Sequence, residues 1–206
     1  MCDLKNEYLL NPCRTLSIPY WKNKIIIVPS DMVIIHEKKF NNQHKKYQRY
    51  FRLMHKLNDI KQIVINITKN IDIDEDKKEL IRMINLCYHH QEIKVEEKDI
   101  EKWLKHPTFN ENLWIKIEEK EKIVASGIAE YDEECKEGIL EWIQVLPEYR
   151  SKGYGEAIVN SLLKKLKQLG AKFVTVSGNL DNNTNPEKLY RKCGFVGKDI
   201  WYICRR

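Results

Sequence analysis

The chain has 206 residues, of which 42% are apolar, and its 36 basic and 30 acidic side chains give a formal net charge of +6. This apolar fraction excludes wholesale disorder, and the length fits one domain or one domain with a substantial extension. Lysine and glutamate alternate along most of the chain instead of forming a basic stripe, so we expect no nucleic acid partner.

Residues 1–58 differ from the rest of the chain in composition and in the pattern of their apolar residues, and they form a predicted N-terminal extension. Apolar stretches at residues 25–28 and 32–35 predict two short strands. A helix is predicted after them, because apolar and aromatic residues recur there at helical spacing, namely Tyr47, Tyr50, Phe51, Met54 and Leu57. We expect this extension to pack on the main domain, although the basic run at residues 45–52 leaves a nucleic-acid-binding arm as an alternative.

Residues 61–206 form the predicted main domain. It begins with a strand, because Ile63, Ile65 and Ile67 alternate with smaller or polar neighbours. A helix follows, with Asp72 or Asp74 as its cap. The apolar face of this helix consists of Leu80, Ile81, Ile84 and Cys87. A second helix is predicted at residues 96–105, where it stops before a proline.

The second half of this domain continues with three strands, at residues 113–118, 122–131 and 139–145. A long amphipathic helix at residues 153–169 ends at a glycine. A strand at 173–177, a short helix at 185–193 and closing strands near 195 and 201–204 complete the chain. The order β-α-α-β-β-β-α-β-α-β predicts an α/β protein of the α+β kind, with a central mixed, twisted sheet flanked by helices.

The six cysteines are scattered and include no Cys-x-x-Cys pair, so the sequence encodes neither a zinc knuckle nor a redox pair. His89 and His90 lack a matching pair of ligands nearby, and we expect no metal site. The first ten residues lack the apolar core of a signal peptide, and the longest apolar runs are too short to cross a bilayer. We therefore expect reduced cysteines, a cytoplasmic location and no membrane partner.

The turn before the long helix carries the strongest chemical signal. Pro147 stops the preceding strand, and Gly153 and Gly155 open the helix. A helix start exposes unpaired N–H groups, and glycines let a bulky anion approach them. Arg150 and Lys152 add positive charge. The pattern is neither a P-loop nor a dinucleotide fingerprint. It predicts a pyrophosphate site, with an ordinary basic turn as the alternative.

Two motifs resemble those of a known family. The stretch from Val145 to Gly155, VLPEYRSKGYG, is similar to the acetyl-CoA motif of the GNAT superfamily of N-acyltransferases, V-x-P-x-x-R-x-x-G-x-G/A. Downstream, the stretch from Asn183 to Phe195 resembles the second signature of that superfamily, N-x-x-A-x-x-L-Y-x-x-x-G-F, with Pro186 where alanine is usual. The resemblance covers about residues 61–206 and leaves the role of residues 1–58 open.

The resemblance implies an N-acetyltransferase that moves an acetyl group from acetyl-CoA to a primary amine of a small molecule or peptide by direct attack. The acyl-CoA would lie where the strand ending at Val145 splays from a parallel neighbour at residues 173–177. Main-chain groups near Val145 would pair with the pantetheine, and main-chain amides of residues 152–156 would hold the pyrophosphate. The expected cofactor-binding residues are Ile143, Val145, Arg150, Ser151, Lys152, Gly153, Tyr154, Gly155, Glu156 and Asn183.

Two residues are candidates for catalysis. Tyr190 matches the tyrosine of the second signature, which the resemblance implies protonates the leaving CoA thiolate; a core tyrosine is the alternative. Glu141 is the candidate general base, because on an alternating strand it shares a face with Ile143 and Val145. A solvated or salt-bridged glutamate is the alternative there. Asn183 would bond the pantetheine or cap the short helix.

Other readings of the same fold stay open. The acyl group is acetyl or a longer chain, and the protein is an enzyme or a non-catalytic acyl-CoA-binding or regulatory module. The expected partners are acyl-CoA and a small amine or peptide acceptor, and the expected oligomeric state is a monomer or a homodimer.

Overall fold

A computed structural model of the protein describes residues 3–41, 43–62, 68–91 and 93–205. The helices within these ranges are α1 (Leu4–Leu10), α2 (Pro12–Thr15), α3 (Tyr20–Asn23), α4 (Ile73–Tyr88), α5 (Glu97–Trp103), α6 (Tyr154–Gln168) and α7 (Pro186–Lys192). The strands are β1 (Met32–His36), β2 (Tyr47–His55), β3 (Thr68–Asn70), β4 (Trp114–Glu119), β5 (Lys122–Asp132), β6 (Glu137–Val145), β7 (Phe173–Asn179) and β8 (Val196–Arg205). Short 3₁₀ turns lie at Glu37–Lys39, His89–Gln91, Glu111–Leu113 and Pro147–Tyr149.

These strands form one mixed sheet in the order β1-β8-β2-β7-β6-β5-β4-β3. β6 and β7 pair in parallel, whereas the other neighbouring strands are antiparallel. The expected α/β architecture, a mixed sheet flanked by helices, is therefore confirmed. Among the described residues, no helix has the length and apolar character needed to cross a membrane.

Helix α6 packs on one face of the sheet at two glycines. A Cβ added at Gly127 of β5 would overlap Ile158, and a Cβ added at Gly138 of β6 would lie 2.7 Å from Leu166. Successive side chains of a strand point to opposite faces. The residues next to these glycines therefore face away from α6, and Ser126 contacts Met83 of α4 there. The long central helix thus covers one face, and α4 lies on the other.

The N-terminal helices lie on the same face as α4 and are held there by a buried polar network. The Tyr8 hydroxyl lies 2.7 Å from the Glu137 carboxylate, which also accepts a hydrogen bond of 2.6 Å from Thr175. The Arg52 guanidinium donates to Tyr8 at 2.8 Å and lies 3.3 Å from Glu137. Burying a charge is costly unless it is paired, and this pair is fully enclosed. Residues 1–58 therefore contribute both helices and sheet strands around the beginning of the parallel pair.

Two predictions for the N-terminal part are wrong. Residues 25–28 form no strand, and Ile27 is 90% exposed. The predicted helix at residues 47–57 is strand β2, which lies inside the sheet between β7 and β8. Because β2 is buried on both faces, its apolar residues do not alternate: Phe51 packs on Gly178 and the neighbouring Arg52 is buried on the opposite side. The division of the chain near residues 58–61 stays a prediction.

The remaining elements follow the sequence more closely. The strand at residues 32–35 is confirmed as β1, and Asp72 caps α4 by accepting hydrogen bonds from the amides of Asp74 and Glu75. The three strands at residues 113–145, the long helix, the strand after it and the short helix are confirmed. The closing strands form a single strand, β8. The strand predicted from Ile63, Ile65 and Ile67 lies outside the described residues.

Candidate active site

The parallel pair opens part of the way along its length. β6 and β7 pair from Glu137 with Phe173 to Leu140 with Val176, and their pairing ends there. At this point β6 has a bulge, because Leu140 lies opposite Ala129 while Trp142 lies opposite Ile128, which leaves Glu141 without a partner in β5.

Beyond the bulge, a cavity of about 580 Å³ lies between β6 and β7. Residues 143–145 of β6 line one side and residues 177–179 of β7 line the other. The expected splay between these two strands is therefore present in the fold. Tyr50 of β2 and Tyr88 of α4 also line this cavity, and neither was predicted to be a site residue.

The glycine-containing turn closes one end of the cavity. Gly153 has a φ of 84°, a left-handed conformation that favours glycine, and the helix begins at the next residue. The amide of Ala157 is the first to bond back into the turn, to the Gly153 carbonyl at 3.0 Å. Among the described residues, nothing accepts a hydrogen bond from the main-chain amides of residues 151–156. These amides therefore remain available to an anion in the cavity.

Basic side chains lie near this turn and leave its main-chain amides free. Arg150 lines the cavity, and its Nε donates to the Val145 carbonyl at 3.3 Å. Lys152 does not line the cavity; its ammonium lies 4.6 Å from the centroid of the Tyr149 ring. Ser151, Gly153, Tyr154, Gly155 and Glu156 line the cavity together with Arg150. The turn thus combines free amides with nearby positive charge.

The carbonyl groups of β6 in the cavity already have partners on α4. The Tyr88 hydroxyl donates to the Ile143 carbonyl at 3.1 Å, and the Cys87 thiol lies 3.5 Å from the Val145 carbonyl. A carbonyl oxygen has two lone pairs, so the Ile143 carbonyl keeps a further acceptor site, whereas the Val145 carbonyl already contacts both the Cys87 thiol and the Arg150 Nε. Helix α4 therefore braces the strand edge along which a ligand would run.

Tyr190 of α7 lines the cavity, and 7% of its surface is exposed. Its ring packs against the rings of Phe51 and Phe195, at centroid distances of 6.3 and 5.6 Å. Its hydroxyl has no hydrogen-bond partner in the described part of the chain. Burial raises the pKa of Tyr190 well above its ordinary range, so the phenol is protonated at neutral pH. Tyr190 is therefore both packed in the core and a potential proton donor to the cavity.

Glu141 lines the cavity at the bulge. The prediction that it shares a face with Ile143 and Val145 is wrong, because the bulge interrupts the alternation and those two residues pack on the α6 side. The Glu141 carboxylate is also paired. Lys22 of α3 places its ammonium 2.6 Å from Glu141 and 3.7 Å from Glu130. Burial, followed by the nearby charge of Glu141, raises the pKa of Glu130 to about 8. Sequence reasoning singled out Glu141 and missed Lys22 and Glu130, because Lys22 lies far from it along the chain and Glu130 approaches it only through the pairing of β5 with β6.

Asn183 does not occupy the position that the sequence indicated. It is exposed and does not line the cavity. The N-cap of α7 is Asn185, in a left-handed conformation with φ of 48°, and no side chain caps this helix. The capping role predicted for Asn183 is therefore wrong. Asn182, Thr184 and Asn185 line the cavity instead.

One side-chain group within the described ranges has the composition of a metal site: His36, Glu37 and Asp199. The His36 Nδ1 accepts a hydrogen bond from the amide of Lys38, so Nε2 carries the proton and donates to Asp199 at 2.9 Å. Glu37 accepts from the amide of Ile200, and Arg14 donates to Asp199. Hydrogen bonds within the protein thus account for this cluster.

Comparison with known proteins is consistent with this architecture. Residues 77–195 match the family model described as the acetyltransferase (GNAT) family. A GCN5-related N-acetyltransferase from Sphaerobacter thermophilus has a similar structure, with a TM-score of 0.69 and 12% identity over 90% of this chain. This chain spans 63% of the length of that protein. No curated protein matches this chain in sequence.

Two further structures share the fold. A GNAT-family acetyltransferase from Colwellia psychrerythraea gives a TM-score of 0.64 and 12% identity, covering 100% of this chain and 73% of its own. A putative GNAT-family acetyltransferase from Novosphingobium aromaticivorans gives a TM-score of 0.59 and 9% identity, covering 88% of this chain and 70% of its own. At these identities the likeness concerns the fold alone.

Proposed function

This chain belongs to the acetyltransferase (GNAT) family, and we propose that it is an N-acetyltransferase that transfers an acetyl group from acetyl-CoA to a primary amine by direct attack. The observation that carries the proposal is the set of unbonded amides at residues 151–156, which begin a helix at the end of a cavity between two splayed strands. A cavity of about 580 Å³ also lies within the range of about 300–1,000 Å³ that is usual for small-molecule sites.

The cofactor would be held mainly by the main chain. The amides of residues 152–156 would donate to the pyrophosphate, where the helix dipole also favours negative charge. Arg150 would flank the pyrophosphate, and the pantetheine would run along β6 beside Ile143 and Val145. This arrangement would place the thioester near the bulge at Glu141, where the amine would attack.

In the proposed reaction the acceptor nitrogen forms a bond to the thioester carbonyl carbon and the carbon–sulfur bond breaks. A primary amine is protonated at neutral pH, so it must first lose a proton, and Glu141 would take it directly or through a water molecule. The Tyr190 hydroxyl would donate to the departing thiolate. Burial supports this role, because it keeps the phenol neutral and therefore a donor.

The direct test is to incubate the protein with acetyl-CoA and a panel of small primary amines and peptides, and to identify products by mass spectrometry. We expect acetylated amine and an equal amount of free CoA, with CoA release that depends on the amine. Binding of acetyl-CoA with no product from any amine would instead support a non-catalytic acyl-CoA-binding module. Absence of binding would contradict both. A cytoplasmic location and a monomeric or homodimeric state stay predictions.

A further inference from the structure

The ammonium group of Lys22 lies at the distance from Glu141 that an acceptor nitrogen would have if Glu141 took its proton directly. A general base must be within about 2.6–3.2 Å of the atom whose proton it removes. The Lys22 Nζ is 2.6 Å from the Glu141 carboxylate. Glu141 also lines the large cavity, at the bulge where β6 and β7 part. The protein therefore holds one of its own primary amines against the candidate base.

The surroundings of Lys22 have the chemistry of an ammonium-binding pocket. A small cavity of about 30 Å³ lies next to it, walled by aromatic rings and closed by the Glu141 carboxylate and the Glu130 carboxyl group. Trp103 and Trp142 stack with their centroids 5.1 Å apart, and both line this cavity. The Trp21 ring lies within cation–π distance of the ammonium, with its centroid 5.5 Å from Nζ. Carboxyl oxygens accept hydrogen bonds from an ammonium group.

The second carboxyl group, that of Glu130, is fixed by groups other than Lys22. Trp21 Nε1 donates to Glu130 at 3.1 Å, and His106 Nδ1 lies 3.0 Å from the other Glu130 oxygen. The Trp21 ring also packs on His106, with centroids 4.9 Å apart. Glu130 thus keeps its position if the Lys22 side chain leaves, and the pocket then has two carboxyl groups and no lysine ammonium.

We propose that this pocket, formed by Glu130, Glu141, Trp103 and Trp142, is the subsite for the acceptor amine, and that Lys22 occupies it as an internal competitor. The acceptor class is then a primary ammonium on an unbranched alkyl chain, which resembles the lysine side chain that it displaces. The proposal rests on the proposed function in one respect, namely that Glu141 acts as the base. Lys22 can leave by rotation of its side chain, while Trp21 continues to anchor α3.

A tethered competitor lowers the apparent affinity for the free ligand, because only the fraction of molecules with an open pocket can bind. Side chains attached to the same protein act at effective concentrations on the order of millimolar. Removing the Lys22 ammonium therefore frees the pocket permanently.

The test is calorimetric titration with n-butylammonium chloride, without acetyl-CoA, of the wild-type protein, Lys22→Ala and Lys24→Ala. We expect Lys22→Ala to bind at least about tenfold more tightly than wild type. Lys24→Ala is the matched control, because Lys24 lies two residues away and pairs with the exposed Glu134. It should bind like wild type. Glu141→Gln combined with Lys22→Ala should lose the gain.

Equal affinity of wild type and Lys22→Ala would overturn the proposal, as would an equal gain for 1-butanol, which fills space but carries no charge. If Lys22→Ala does not fold, Lys22→Met keeps the aliphatic packing, removes the charge and should show the same direction of change. Because these titrations contain no acetyl-CoA, their outcome is independent of acetyl transfer. If the protein acetylates an amine but Lys22→Ala binds n-butylammonium no more tightly than wild type, the subsite alone is contradicted. If Lys22→Ala binds it more tightly but no amine is acetylated, the proposed function alone is contradicted.

Discussion

Two regions of the molecule are built by different means: the turn that closes the large cavity and the N-terminal network on the sheet face opposite α6. The turn between β6 and α6 is local: residues 151–156 supply unbonded amides, and Gly153 among them is left-handed. The N-terminal network depends on pairs that are far apart in the sequence, such as Tyr8 with Glu137 and Trp21 with Glu130, separated by 129 and 109 positions. The first region uses main-chain atoms, and the second uses buried charges. Substitutions in the turn should therefore change binding, and substitutions in the N-terminal network should change stability.

The largest effect on stability is expected from Arg52→Met. This side chain is fully buried against Glu137, so its removal leaves an uncompensated buried carboxylate. Breaking a buried pair in this way costs about 3–5 kcal/mol in the free energy of unfolding. Urea denaturation followed by circular dichroism measures it. The control is Arg49→Met on the same strand, whose pair with Asp181 is exposed and should contribute less than about 1 kcal/mol. Similar losses of stability in Arg52→Met and Arg49→Met would contradict the distinction between the buried and the exposed ion pair.

Tyr190→Phe should affect turnover and leave stability unchanged. The phenol hydroxyl has no partner within the described chain, so its removal costs no protein hydrogen bond. Loss of a positioned acid lowers the rate by about 100-fold or more. Steady-state kinetics with a reactive amine gives kcat, and calorimetry gives the affinity for CoA, which should not change. Tyr131→Phe removes another buried hydroxyl that lacks a partner and should keep full activity. Unchanged kcat in Tyr190→Phe would exclude it as the acid.

The smallest expected effect, taken for each pH unit, is the pH dependence that Glu130 imposes on stability. Burial raises the pKa of Glu130 from 4.5 to about 8 in the folded protein. Between these values the folded chain holds a proton that the unfolded chain has released, so stability is highest below pH 4.5 and falls as the pH rises towards 8. One such group contributes a slope of about 1.4 kcal/mol per pH unit.

Urea denaturation at pH 5, 6 and 7 tests this slope. Glu130→Gln should flatten it, because the amide does not titrate. Glu134→Gln should leave it unchanged, since Glu134 is paired at the surface and its pKa is lowered by Lys24, below this range. A slope that persists in Glu130→Gln would assign the titration to another group.

The sequence predicted the turn and most of the main domain because their signals are local. Caps, glycines and periodic apolar residues report on neighbours within about one helical turn, and α4, α6 and β4–β6 lie where these signals place them. Strand β2 was misread because both its faces are buried, so the alternation of a half-buried strand is missing. Asn183 was misread because a left-handed residue, Asn185, begins the helix in its place.

The partners of Glu141 could not be predicted in this way. Lys22 reaches it only after α3 packs on the sheet face opposite α6, and nothing near Lys22 in the sequence distinguishes it from the other lysines of this lysine-rich chain. The alternation of β6 predicted that Glu141 shares a face with Ile143 and Val145, but the bulge turns Glu141 to the opposite face, where Lys22 pairs with it. Contacts between side chains distant in sequence depend on the complete fold.

The central claim is that free amides at the start of α6 bind the pyrophosphate of CoA. Calorimetric titration with CoA of the wild type, Gly153→Glu and Gly197→Glu tests it most directly. Both glycines have positive φ, 84° and 73°, so both variants carry similar backbone strain, but Gly197 is in open space on β8. Charge-assisted hydrogen bonds contribute about 1.5–3 kcal/mol each, so loss of two of them weakens binding by at least about a hundredfold. We expect this loss in Gly153→Glu alone; unchanged affinity there, or an equal loss in both variants, would contradict pyrophosphate binding by these amides.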